Sequence, residues 1–398
     1  MALTNIPLGE IVEDHLQRLI AAQAAESLHV EYKRETYGTN DDQRREFLAD
    51  VSSFANAAGG DLIIGMSAAK GVPTAIHPFT GDGDAERLRL EQMARDGLFP
   101  RITNLQTRAV PLAEGGFVVL VRVPKSYNPP HRIIFKNNGR FWARSSAGKY
   151  EPNVEELRRI FTEAPLLAER VRAFRTERIA RIAAHETPVS LLDGGSLVLH
   201  VVPFAAFDFG NALSLDKVAA QPHLFVPIGS TSVQDYQITF EGLITASNAE
   251  GLSKPQRAYV HVLRSGAVEA VASSLSGEEK RLILPHIEAM VVKYSRNYAA
   301  SLQNFGAEPP FAILTSLVDV KGKQLLQGVP NDPRFRSAVL NHDQYHFIET
   351  IFENIPTDAN DAAKQLRATL DHLANAAGLP SSPYFDESGH YHLQGQWR

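Results

Sequence analysis

The chain has 398 residues, 44% of them hydrophobic and 21% charged, which is enough length for more than one core. A formal net charge of −5 argues against coating nucleic acid through global positive charge, and the absence of cysteine excludes disulfides, thiolate metal sites and cysteine nucleophiles. No window approaches the roughly 18 apolar residues of a membrane span, and acidic residues stand where a signal peptide would begin positive, so a soluble, cytoplasmic protein with no membrane partner is expected.

Ile11, Leu16, Leu19 and Ile20 recur at near-helical spacing and predict an amphipathic opening helix within residues 5–25. His29 to Lys33 reads as a short strand with His29, Glu31 and Lys33 on one face and Val30 and Tyr32 on the other. Residues 42–58 predict the best-marked helix, with Phe47, Leu48, Val51, Phe54 and Ala55 on one stripe, an aspartate cap before it and Gly59-Gly60 after it. A buried strand at 61–66, a glycine-rich loop and a helix over 85–95 with Leu88 and Met93 inward come next. FVVLVRVP at 117–124 predicts a strand, and RIIFKNNGRFWARS at 132–145 predicts a hairpin around Asn137-Asn138-Gly139. Asn153 and Glu156 match a capping box, Pro165 interrupts the helical pattern, and 165–186 reads as a helical connector. Beyond Thr187 several strand patterns with turn punctuation, among them one around Arg264-Ser265-Gly266, are followed by helices at 278–305 and 361–377. The expected fold class is α+β: an N-terminal helix (1–25), a mixed-sheet domain with packed helices (26–164), the connector, and a second α+β domain with an antiparallel sheet (187–398).

Lys and Arg gather in the first half, in one group at Lys33, Arg34, Arg44 and Arg45 and another from Arg122 to Lys149. In the second, Arg132, Lys136, Arg140 and Arg144 are interleaved with Ile133, Phe135, Phe141 and Trp142, so a twisted hairpin can hide the rings and present the cations along one face. A plain solvated hairpin is the competing reading. His390, His392, Asp386 and Glu387 imitate a metal cluster, but their spacing matches no defined site and a polar surface tail explains them.

Glu26, four residues and then Glu31-Tyr32-Lys33, followed by Phe54-Ala55-Asn56 with Gly59-Gly60 and an apolar strand from Asp61, resembles the AlbA_2 domain of the Schlafen family. The resemblance implies a nucleic-acid-handling module in which Glu26, Glu31 and Lys33 line the catalytic groove, Glu26 and Glu31 hold Mg²⁺ or Mn²⁺ and Arg144 takes the arginine position of the closing strand; with Lys33 and Arg144, the grouped cations Arg34, Arg132, Lys136 and Arg140 are expected to bind the RNA or DNA partner. The family's third acid falls on Ala68; Asp50 and Asp61 are the acids that could replace it, with Asp61 on the opposite strand face from position 68. Two ligands hold a cation less firmly than three. Two functions are therefore expected to compete: a metal-dependent endoribonuclease for tRNA-like RNA in phage defence, and a non-catalytic DNA-binding or regulatory module. A scaffold with no nucleic-acid role is a third. No Gly-rich loop with a following Lys-Ser/Thr is present, which argues against ATP. Family members often pair two such units around a groove, so a homodimer is expected.

Overall fold

Val30 and Tyr32 alternate with Glu31 and Lys33, so a strand here must bury one face and leave the other polar. In the computed structural model, which describes residues 3, 6–208, 212–276, 281–327 and 337–392, that strand is β1 (Val30–Lys33). Residues 5 and 278–280, where two of the expected helices begin, lie outside the described residues. The chain forms two compact units, Met1–Leu166 and Leu167–Arg398.

In the first unit α1 (Glu13–Ala21) precedes β1, and α2 (Asp41–Ala55) carries the chain to β2 (Gly60–Ile64), which pairs parallel with β1. A hairpin of β3 (Met66–Ala69) and β4 (Val72–Ile76) leads into α3 (Gly83–Gly97) and the two-residue β5 (Leu98–Phe99). The antiparallel strands β6 (Gln106–Pro111) and β7 (Phe117–Val123) complete a mixed sheet of order β1-β2-β7-β6. Phe47, Leu48, Val51 and Phe54 of α2 pack with Leu62, Ile64, Val119 and Val121 on one face of that sheet. Ile11, Leu16 and Leu19 pack with Val30, Tyr32, Ile63 and Leu120 on the other. Because Val30 and Tyr32 belong to the α1 side, the two-residue period of β1 turns Glu31 and Lys33 toward α2.

Several expectations need correction. The cap of α2 is Asn40, whose side chain accepts from the N–H of Gln43, and not an aspartate. At the other end Gly59 has φ +72°, and a Cβ there would lie 2.5 Å from the backbone N of Lys125. On α3 Leu88 is exposed and Leu90 and Ala94 are buried in its stead, while Met93 packs partly buried against the α2 core as expected. The 132–145 segment is not a two-stranded ribbon. Its first strand, β8 (Arg132–Ile133), pairs with β5, and only one bridge joins Arg132 to Phe141. Phe135 is drawn against the α2 core in a 3-10 turn, and β9 (Ala143–Ser145) pairs instead with β10 (Gly148–Tyr150). Helix α4 (Val154–Ala183) runs unbroken through Pro165. Its reciprocal capping box is as expected, Asn153 and Glu156 each accepting the other's backbone N–H.

The second unit is built on β11 (Ser196–Pro203), the centre of an antiparallel sheet. After α5 (Leu215–Ala219) come β12 (Asp235–Ile238), β13 (Gly242–Ala246), β14 (Ala258–Leu263), β15 (Val268–Ala272) and the short β16 (Arg281–Ile283). Helix α6 (Leu284–Gln303) precedes β17 (Phe311–Val318), β18 (Gln324–Leu326), β19 (Ser337–Val339), β20 (Gln344–His346) and β21 (Thr350–Phe352), and α7 (Ala359–Gln365) and α8 (Arg367–Ala376) follow. The order is β12-β13-β14-β15-β11-β17-β20, with β21 also on β17. Residues of α6, α7 and α8 pack on one face, and Val171, Ile179 and Ile182 of α4 pack on the other. No described helix is long and apolar enough to cross a membrane.

Candidate nucleic-acid interface

Glu46 and Asp50 are four residues apart on α2 and so share a helix side, which meets the polar face of β1. There Lys33 Nζ lies 2.8 Å from Glu31, 3.2 Å from Glu46 and 3.4 Å from Asp50. Lys149 of β10 reaches the same acids, 2.6 Å from Asp50 and 3.9 Å from Glu46. The Tyr37 hydroxyl donates to Asp50 at 2.7 Å. Glu31 also accepts from Arg144 at 2.5 Å. The result is a cluster of three carboxylates and three cations in which Asp50 is fully buried and Glu46 half exposed.

Charge and burial set the protonation of this cluster. Burial raises the Glu31 carboxyl, but Lys33 and then Arg144 outweigh it and hold the group below its ordinary range. Asp50 is raised, by burial first and by Glu31 beside it, against the pull of Lys149 and Lys33. Burial favours neutral Lys33, yet Asp50 and Glu31 override it and the ammonium is held more firmly than usual. Burial and then Asp50 raise the Tyr37 hydroxyl, which keeps it a donor.

The residues singled out from the sequence fall into three places. Glu31, Lys33 and Arg144 come together, but in direct contact and not across an open cleft. Arg144 is not the surface cation expected: its side chain is 2% exposed, its guanidinium lies 4.1 Å over the Phe54 ring, and it donates to Ser27 O and Val30 O. Glu26 lies at the free edge of β1, accepting the Tyr32 N–H at 3.3 Å while its own N–H donates to Gly71 O. Lys136 pairs with Asp41, and Arg140 pairs with Glu151 at 2.9 Å, so the expected single cationic face is divided among acids. Arg34 and Arg132 are exposed and have no side-chain partner among the described residues.

Glu46 and Tyr37 are not among the residues expected to form the site, Lys149 is expected only as part of the second basic group, and Asp50 only as a replacement for the third acid. A trace existed in the sequence: Asp50 interrupts the apolar run Phe47-Leu48-Ala49-Val51, where a carboxylate needs partners from elsewhere in the fold. Asn56 of the Phe-Ala-Asn motif joins α2 to the closing segment, donating to His131 O and Trp142 O and accepting from the His131 N–H. Asp61 is committed to Arg122, which also ties down Leu3 O and Ile6 O. Near the C-terminus Asp386 accepts from the N–H groups of Ser388 and His390 and lies 2.6 Å from His392, which makes a polar turn.

The donors do not fit a divalent cation. Glu26 is bound at the strand edge, Ala68 is exposed and offers no donor, and Glu31 and Asp50 are already neutralised by Lys33, Arg144 and Lys149. Among the described residues no three His, Asp or Glu side chains are placed to hold a metal ion.

The family described as Schlafen, AlbA_2 matches residues 26–153. No curated protein matches the chain. Among solved structures, the DIP2311 protein from Corynebacterium diphtheriae is similar at 20% identity and a TM-score of 0.26, over 38% of this chain and 29% of that one. The N-terminal domain of a RecG-related protein from Nitrosomonas europaea is similar at 19% identity and a TM-score of 0.26, over 35% of this chain and 92% of that one.

Proposed function

We propose, from the premise that residues 26–153 are a Schlafen AlbA_2 domain, that the chain binds RNA or DNA by its backbone and receives phosphates at the Lys33–Lys149 pair. One observation carries this reading. Glu46 places one carboxylate oxygen 3.2 Å from Lys33 and 3.9 Å from Lys149, and that side chain is half exposed while Asp50 grips both ammonium groups from within the core. A phosphate oxygen has the charge and acceptor geometry to take the position of Glu46. Arg34, exposed and uncommitted next to Lys33, extends the cationic track. Asp50 and Glu31 then act as anchors that fix the lysines, and the module is non-catalytic.

The test is fluorescence anisotropy of the full chain with labelled tRNA and labelled oligo(dT). Glu46→Ala removes the competing carboxylate, so both affinities should rise about two- to fivefold, the range of an exposed ion pair. Lys149→Ala should lower both. Absence of binding by the wild type, or an unchanged affinity in Glu46→Ala, removes the proposal. A second reading, a metal-dependent endoribonuclease for tRNA-like RNA with a role in phage defence, would require Glu31 and Asp50, which both meet Lys33, to exchange their Lys and Arg partners for the ion. Cleavage of tRNA with Mn²⁺ or Mg²⁺ that Glu31→Ala abolishes would select it. Either reading is completed by a homodimer that gives the groove two sides, and light scattering decides that point.

A further inference from the structure

The second unit holds a cavity of about 600 Å³ that the nucleic-acid reading does not use, within the usual range for small-molecule sites. It lies where the ends of β13, β14 and β15 meet the start of α6. Its inner wall is aliphatic, with Ile228, Leu282, Ile287 and Met290 all buried. Its rim carries Arg257, exposed, with no side-chain partner among the described residues. Ser230 and Ser274 add hydroxyls without a described side-chain bond on the same rim, whereas Ser247 and Ser273 are engaged with backbone groups. Among the described residues His286 is the one aromatic ring on the wall, with no Phe, Tyr or Trp.

We propose that this cavity is a binding site for a small organic anion, a carboxylate or phosphate head on an aliphatic body. The chemistry follows from the division of the walls. A guanidinium with no acid partner among the described residues is a planar fork suited to two oxygens of one head group, with hydroxyls beside it to complete the contacts. A purely polar ligand would leave the aliphatic wall in water. A short alkyl chain against Ile287 and Met290 satisfies both walls.

Isothermal titration of the full-length protein with octanoate, octyl phosphate and 1-octanol tests the assignment. Both anions should bind, with the tighter one identifying the preferred head group, and 1-octanol should bind at least about tenfold more weakly, the worth of charge-assisted bonds. Arg257→Ala should weaken both anions by about tenfold or more and leave 1-octanol unchanged, and Arg257→Lys should recover part of the loss. The Arg257 side chain is exposed and has no partner among the described residues, so the thermal melt of the variants should match the wild type. Failure of both anions to bind, equal affinity for 1-octanol, or anion binding unaffected in Arg257→Ala would each overturn the proposal.

Discussion

Arg144 and Glu31 form an ion pair with side chains 2% and 13% exposed, and at this depth losing one partner costs more than the pair contributes. Arg144→Ala leaves Glu31 with Lys33 alone and opens space beside Phe54, so a loss of roughly 3–5 kcal/mol is expected, read as a fall in the urea midpoint. Arg144→Lys should recover only part, because an ammonium cannot stack flat on the ring and also reach Glu31 and the Ser27 carbonyl. In the second unit, burial pushes the Glu288 carboxyl from 4.5 up to about 8, with Asp371 adding to it and a bond from Ser382 opposing it. A carboxyl that holds its proton more tightly when folded stabilises the fold below its unfolded value, and that contribution is lost as pH rises through the folded one. The unfolding free energy read from urea titrations should therefore decline between pH 4.5 and about 8, by at most about 1.4 kcal/mol per pH unit, and Glu288→Gln should flatten the decline.

At the scale of elements, α2 organises the first unit by having two different sides. Phe47, Val51 and Phe54 belong to the core, while Glu46 and Asp50 belong to the cluster on β1 and β10. The end of the helix is fixed by Asn56, whose three hydrogen bonds of 2.7–2.9 Å reach both the His131 and Trp142 backbones. Asn56→Ala leaves the buried His131 peptide unpaired and should cost roughly 2–4 kcal/mol. Faster hydrogen exchange at the His131 amide would locate the loss there, and unchanged exchange would contradict this role. The segment carrying β8 to β10 depends on that anchor, since β8 finds its partner in β5 and Lys149 on β10 must arrive over Asp50.

For the whole molecule a net charge of −5 means that any attraction for nucleic acid is local. Contacts by Lys33, Lys149 and Arg34 alone would give a plot of log affinity against log salt with a slope near −2 for a single strand, at roughly 0.7 per contact. A slope several times steeper would require cations outside the cluster. Much of the architecture was legible in the chain. The alternation in β1, the apolar stripe of α2, the Asn153–Glu156 cap and the strands around Arg264-Ser265-Gly266 are local patterns that survive in the fold. The 132–145 segment shows the limit of such patterns: it carries the composition of a hairpin, yet β5 and the α2 core take β8 and Phe135 away from each other's partners. The sequence by itself determined that Glu31 and Lys33 share a face and that this face is polar. Only the tertiary structure decided that Asp50 and Lys149 complete the cluster, that Arg144 is buried and that Glu26 meets the Tyr32 N–H, because a buried charge takes its partner from whatever element packs against it, at any distance along the chain.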